Sequence, residues 1–234
     1  MNSSTAASPT VSSDTMTNLR FIVFLLLTTI CSCGQTSVNH EINPESIRLT
    51  NRIIPLVSFT NNPDSCKKAL SFLDSATEID KDNFLAYDNK LMFLYRLKQY
   101  GKIIKTLDEM LRLRPNAHDL YLTKGSFYEK IGDTVSAKKC FQKSLAICDK
   151  VLDTMTKTNS DYLMFVTNKA INMIMLGDSA KANNILQTLY DNQPDDSVFD
   201  NVDKKFILTL MHKSKTELLE MKPDTTESVS YPKK

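Results

Sequence analysis

Apolar residues along this chain recur with the three-to-four-residue period of helices that bury one face. Phe141, Leu145, Cys148, Leu152 and Met155 follow at spacings of 4, 3, 4 and 3, which predicts one elongated helix over residues 134–157. Phe199, Val202, Phe206 and Leu210, at spacings of 3, 4 and 4, predict another over residues 197–221. Residues 47–60 carry Pro55, which breaks or kinks the helix expected there. The five glycines are too few for the hairpin turns of a β-rich fold, and the eight prolines suit helices joined by short turns. The pattern therefore predicts an all-α protein.

The same positions repeat on a longer ruler. In the segment YLTKGSFYEKIGDTVSAKKCFQKSLAICD, residues 121–149, Tyr121, Gly125 and Tyr128 share one helix, Gly132-Asp133 make a turn, and Ala137 and Phe141 lie on the next helix. This resembles the tetratricopeptide pattern W-x2-L-G-x2-Y…A-x3-F, with Tyr for Trp and Lys124 for Leu. Stepping back 34 residues twice from Ala137 and Phe141 gives Ile103 and Leu107, closed by Pro115, and then Ala69 and Leu73, where Lys81 replaces the closing proline. Forward, Gly177-Asp178 precede Ala182 and Leu186, and Pro194 closes the unit. That last step is 45 residues, eleven more than the others. Eleven residues at about 100° each complete about three helical turns, so a longer helix absorbs them without rotating its buried face.

The resemblance implies a right-handed tetratricopeptide solenoid of antiparallel helix pairs. About four pairs would span residues 46–196, with the extra helix near 150–160, a capping helix at 197–221 and a polar tail at 222–234. Small residues, Gly125, Ala137, Ala170 and Ala182, are expected where helices approach closely, and Tyr87, Tyr121, Tyr128 and Phe141 between units.

The N-terminal segment predicts an address. Arg20 precedes the ten largely apolar residues FIVFLLLTTI and then Cys31-Ser32-Cys33-Gly34. Such a run spans only about half of a bilayer core, too little for a transmembrane helix. Its form is that of a secretory signal peptide covering residues 1–33, and Met16 would begin a tidier version of it. Ile30-Cys31-Ser32-Cys33 resembles a bacterial lipobox, which implies acylation of Cys33 as the mature N-terminus. Gly34 after it, with no early acidic cluster, implies the outer membrane of a Gram-negative cell and its periplasmic face. Residues 34–45 would then tether lipid to folded domain.

Charge and chemistry narrow the function classes. The 234 residues carry 29 Lys and Arg against 27 Asp and Glu, and the basic pairs are scattered, so no nucleic-acid partner is expected. No phosphate-cradling glycine motif, C-x-x-C, H-E-x-x-H or G-x-S-x-G occurs. His40, His118 and His212 are read as solvated, and no enzyme activity, metal or cofactor is expected. Cys140 and Cys148 would lie about 12 Å apart along one helix, too far to bridge. Cys148 falls on the apolar stripe and is read as a buried free thiol, while no sequence feature supports a disulfide at Cys66.

In tetratricopeptide arrays the leading helices line a groove that grips a peptide or a partner's helix. By that resemblance the partner-binding residues here are Leu85, Asp88, Asn89, Met92 and Tyr95, then Leu122, Ser126 and Glu129, then Met164, Thr167, Asn168, Ile171 and Met175. Asp88, Leu122 and Thr167 stand where carboxylate-clamping lysines occur in some members, so that clamp is expected to be missing. The function this implies is a non-enzymatic, envelope-anchored adaptor for another envelope protein or peptide. The alternative is an accessory lipoprotein that binds glycans or small ligands. The lack of tryptophan and of long inserted loops counts against it, and a loop at 150–160 would favour it.

Overall fold

The computed structural model describes residues 40–192 and 200–220, and of residues 200–203 the backbone alone. The expected signal peptide, Cys33, Pro194, Phe199, the side chain of Val202 and the polar tail lie outside the described residues. Within them the fold is all-helical, without strands. The helices are α1 (Pro44–Asn51), α2 (Pro63–Ile79), α3 (Phe84–Arg96), α4 (Tyr100–Leu113), α5 (His118–Lys130), α6 (Thr134–Leu152), α7 (Tyr162–Met175), α8 (Ser179–Asp191), α9 (Asp200–Leu210) and α10 (Lys215–Glu220). They pack in consecutive pairs from α1 to α9, and α1 also touches α3, as α5 touches α7.

Local chemistry sets the ends of these helices. Asn43 and Asn62 cap α1 and α2 ahead of a proline in the first turn, where a missing N–H costs nothing. Pro55 sits in a short 3-10 segment, Ile54–Phe59, that separates α1 from α2, so the predicted helix over 47–60 is broken there. The carboxylates of Asp133 and Asp178 accept the backbone N–H groups of Ser136 and Lys181 and start α6 and α8.

The leading helices α3, α5 and α7 all stop in one way. Lys98, Gly132 and Gly177 take left-handed backbone angles, with φ of 55°, 83° and 95°. In each case two N–H groups fold back onto the last turn, for instance Gly132 N to Glu129 O at 3.0 Å and Asp133 N to Tyr128 O at 2.9 Å. Lys98 repeats both bonds, to Tyr95 O and from Gln99 N to Leu94 O. It stands 34 residues before Gly132 in a position that suits glycine, and Gln99 after it makes no side-chain cap.

Burial follows the ruler. Ala69, Ile103, Ala137 and Ala182 form one equivalent column and Leu73, Leu107, Phe141 and Leu186 another, and all eight are 0% exposed. A Cβ placed on Gly125 would lie 2.5 Å from the Phe141 ring, so the largest member of its column is accommodated by the smallest residue facing it. Ion pairs repeat as well: Lys90 to Asp74 at 2.7 Å, Lys124 to Asp108, and Lys169 to Asp149 at 2.7 Å. Each ties a leading helix to the helix before it. Their lysines step by 34 and 45 residues, with the ruler.

Two expectations need correction. The helix expected over 134–157 ends at Leu152, and residues 153–161 form turns. Beyond Leu152 the run DTMTKTNSD offers short polar side chains that bond locally: Thr154 Oγ1 to Val151 O, Thr156 to Thr158, and Asn159 Oδ1 to Asp161 N. Such bonds compete with the helical ladder and end it. The insertion is therefore divided between a longer helix, 19 residues in α6 against 14 in α4, and a loop. The single helix expected over 197–221 is also two. His212 takes φ 62° after α9, and Ser214 and Glu217 cap α10 reciprocally, Ser214 N to Glu217 Oε2 at 2.8 Å and Glu217 N to Ser214 Oγ at 3.2 Å.

Replacing Gly125 with Ala should destabilise the fold by about 1–3 kcal/mol through overpacking. In a Phe141→Leu background the same change should cost less, a coupling that thermal or urea unfolding of the four proteins measures. Lys98→Gly should instead stabilise, by about 0.5–1 kcal/mol, because it relieves a left-handed side chain. A lowered melting temperature for Lys98→Gly would contradict the shared turn geometry.

Candidate functional site

The residues expected to bind a partner lie on α3, α5 and α7, but only some of them gather. Leu122, Ile171 and Met175 join one apolar cluster with Ala137 and Phe141, and Met175 is itself buried. Leu218 and Leu219 of α10 pack against the same cluster, and Glu129 of α5 meets Lys215 of α10 at 2.6 Å. Ser126 is half-buried and bonds back to Leu122 O at 3.1 Å. Met164 and Asn168 are half-buried on α7, while Thr167 is buried and bonds to Leu163 O and Met164 O.

The α3 residues do not join that cluster. Leu85 is exposed, and the Asn89 side chain bonds back to Leu85 O at 2.9 Å. Met92 is buried, so it serves the core. Tyr95 stacks loosely with Tyr100 and Phe127, at ring separations of 6.4 and 6.2 Å.

Asp88 is the unusual group on α3. It is 6% exposed, and loss of water pushes its carboxyl from the ordinary 3.8 up to about 7. Arg114 pulls the value down and Asp119 pushes it up.

His118 departs from the solvated reading. It is 4% exposed, with its ring 4.2 Å from that of Phe165 and its Nδ1 3.2 Å from Asn168 Nδ2. An amide nitrogen only donates, so the neutral ring accepts at Nδ1. Burial holds its pKa below the ordinary 6.5, against the opposite pull of Asp119. The Ser144 hydroxyl donates to His118 O at 2.7 Å, and Asn172 Nδ2 bonds both Ser144 Oγ and Asn168 O at 2.8 Å. This buried network fastens α5, α6 and α7 to one another. His40 and His212 are different: the His40 ring bonds to the Asp80 carboxylate at 3.1 Å, and the exposed His212 uses its backbone N–H to bond Asn183.

Cys66, Cys140 and Cys148 are all free and buried. Burial pushes the Cys148 thiol up to about 12 and also raises Cys66 and Cys140, so none offers a thiolate at neutral pH. Among the described residues no group of three or more His, Cys, Asp or Glu side chains could hold a metal ion. Nor is any described helix long and apolar enough to cross a membrane.

Sequence reasoning missed α10 as a separate helix on this face. Its signal was present as Ser214-x-x-Glu217, a reciprocal capping pair inside a run read as one helix. It also missed the burial of His118, because sequence places a helix start without showing which neighbours cover it.

Asp88 yields a pH test. Its raised pKa means that the folded state holds a proton which the unfolded chain releases between pH 4 and 7. Its contribution is thus most favourable below pH 4 and declines as pH rises toward 7. Asp88→Asn should match wild type near pH 4 and be more stable at pH 8, by at most roughly 4 kcal/mol. Urea unfolding across that range measures it, and an equal effect at both pH values would overturn the assignment.

The chain matches no known protein-family model and no curated protein sequence.

Proposed function

We propose that this chain is an envelope-anchored, non-enzymatic adaptor. In this reading it is a right-handed tetratricopeptide solenoid, lipidated at Cys33 and held at the periplasmic face of a bacterial outer membrane, that binds another envelope protein or peptide. The observation that carries the reading is that one face of α5 and α7 receives a short helix, α10, through two leucines and a lysine. A face that seats a helix has the chemistry of helix-in-groove recognition. The buried columns at steps of 34, 34 and 45 residues support the repeat assignment, and the Ile30-Cys31-Ser32-Cys33 motif supports the anchor.

A second reading, glycan or small-ligand binding, has one observation in its favour. The loop at 153–161 borders a depression of about 280 Å³ whose lining includes Lys157, Tyr162, Asn184, Thr188 and Asn192. An aromatic ring beside amides, a hydroxyl and a cation suits a polar ligand with apolar faces.

In-cell crosslinking of the full-length protein, followed by mass spectrometry, tests the adaptor. One or two envelope proteins should be recovered from wild type and lost with Met164→Glu and Ser126→Lys at unchanged melting temperature. Cys33→Ser should abolish membrane partitioning and change electrophoretic mobility. Recovery of no specific protein would sink the adaptor. Glycan binding lost in Tyr162→Ala would put the second reading in its place.

A further inference from the structure

We infer that the face of α5 and α7 is a seat for a short amphipathic helix that presents a lysine followed, three and four residues later, by adjacent leucines. The chain's own α10 fills this seat as a stand-in, and a partner segment of the same chemistry enters by displacing it. The inference rests on the adaptor reading and adds to it the nature of the ligand and the way in.

The seat has both polar and apolar parts. Leu218 and Leu219 pack against the cluster that includes Leu122, Ile171 and Met175. Lys215 Nζ lies 2.6 Å from Glu129 Oε1, whose side chain is 9% exposed. Lys130 Nζ donates to Leu219 O at 2.9 Å, so a cation satisfies a carbonyl at the C-terminal end of the docked helix. These contacts define what is recognised: an apolar pair, a cation at a set distance from it, and a helix end that needs a donor.

The stand-in is built to leave. Six residues are too few to hold a helix in water, so α10 depends on its docking. Both leucines are only half-buried, and Lys215 stays 39% exposed. The left-handed turn at His212 and the separate Ser214–Glu217 cap make α10 a unit distinct from α9, whose Ile207 and Leu210 are buried against α7 and α8. Leu218 also packs against that cluster, but its buried members all lie on α7, α8 and α9, so releasing α10 opens the seat and leaves those members in place. A tethered occupant acts at millimolar effective concentration, which weakens any competing ligand correspondingly.

The test uses the full chain and a fluorescent peptide, MHKSKTELLE, copying residues 211–220. Leu218→Asp with Leu219→Asp should empty the seat, and the peptide should then bind on the order of tenfold tighter or more than it binds wild type. Lys215→Glu, at a half-exposed side chain, should strengthen peptide binding in the same direction without disturbing the core. Adding Glu129→Lys to the emptied chain should abolish binding of the original peptide, and a peptide with Lys215→Glu should regain it. Equal affinity for wild type and both loosened variants, or no binding to a Lys215→Glu chain that melts like wild type, overturns the proposal. So does a wild-type dimer that becomes monomeric on Leu218→Asp with Leu219→Asp, since α10 would then be exchanged between copies. Peptide binding without any envelope crosslink would keep the seat and sink the adaptor. An envelope partner without peptide binding would do the reverse.

Discussion

A helix of 13 to 19 residues with an apolar stripe cannot bury that stripe alone, and in this chain each one is covered mainly by its neighbours in sequence. The fold therefore depends on how closely successive helices approach. Gly125 marks the limit, because the Phe141 ring occupies the space that any side chain there would need. The equivalent residues one step away are Leu91 with Leu107 and Ala170 with Leu186. Small faces large in one unit and medium faces medium in another, so volume varies within pairs of positions while the columns stay fully buried.

Two further devices keep the register. The leading helices end in the same left-handed turn, whether glycine or Lys98 supplies it, which aims the following helix back along its partner. The half-buried Lys–Asp pairs then link each leading helix to the one before. The insertion tests this arrangement. Asp108 and Asp149 are 41 residues apart, seven more than the ruler, and seven residues are about two turns, so the ion pair moves along α6 but stays on the same face. Beyond Leu152 a threonine-rich run ends the helix, and the remaining extra residues leave the stack as a loop.

Each leading helix carries a buried polar group, Asp88 on α3, His118 on α5 and Asn172 on α7. Asp88, His118, Ser144 and Asn172 are buried polar groups in a chain whose columns are otherwise apolar. The Ser144–Asn172–Asn168–His118 network ties together α5, α6 and α7, the helices on which α10 docks. The occupant, in contrast, is held by two half-buried leucines and by lysine contacts at its rim. A seat whose helices are tied to one another, with a guest held by half-buried contacts, suits exchange of ligands.

The periodicity of apolar residues was enough to predict the all-helical fold seen among the described residues, because a helical stripe is a local property of spacing. It was also enough to pick out Ala69, Ile103, Ala137 and Ala182, and the column beside them, since a repeat buries equivalent positions alike. Helix ends were partly legible: the Gly-Asp pairs announce their turns, but Lys98 and His212 take the same backbone conformation with no glycine to signal it. The end of α6 was misread because hydrophobic spacing continues to Met155 while backbone competition from threonine and asparagine side chains has already begun. What no spacing could reveal was which face would be covered by a distant part of the chain. Lys215 reaches Glu129 across 86 residues and Ser144 reaches His118 across 26. Burial of Asp88 and His118 and the seat of α10 are sums over several helices, and they exist only once those helices have packed.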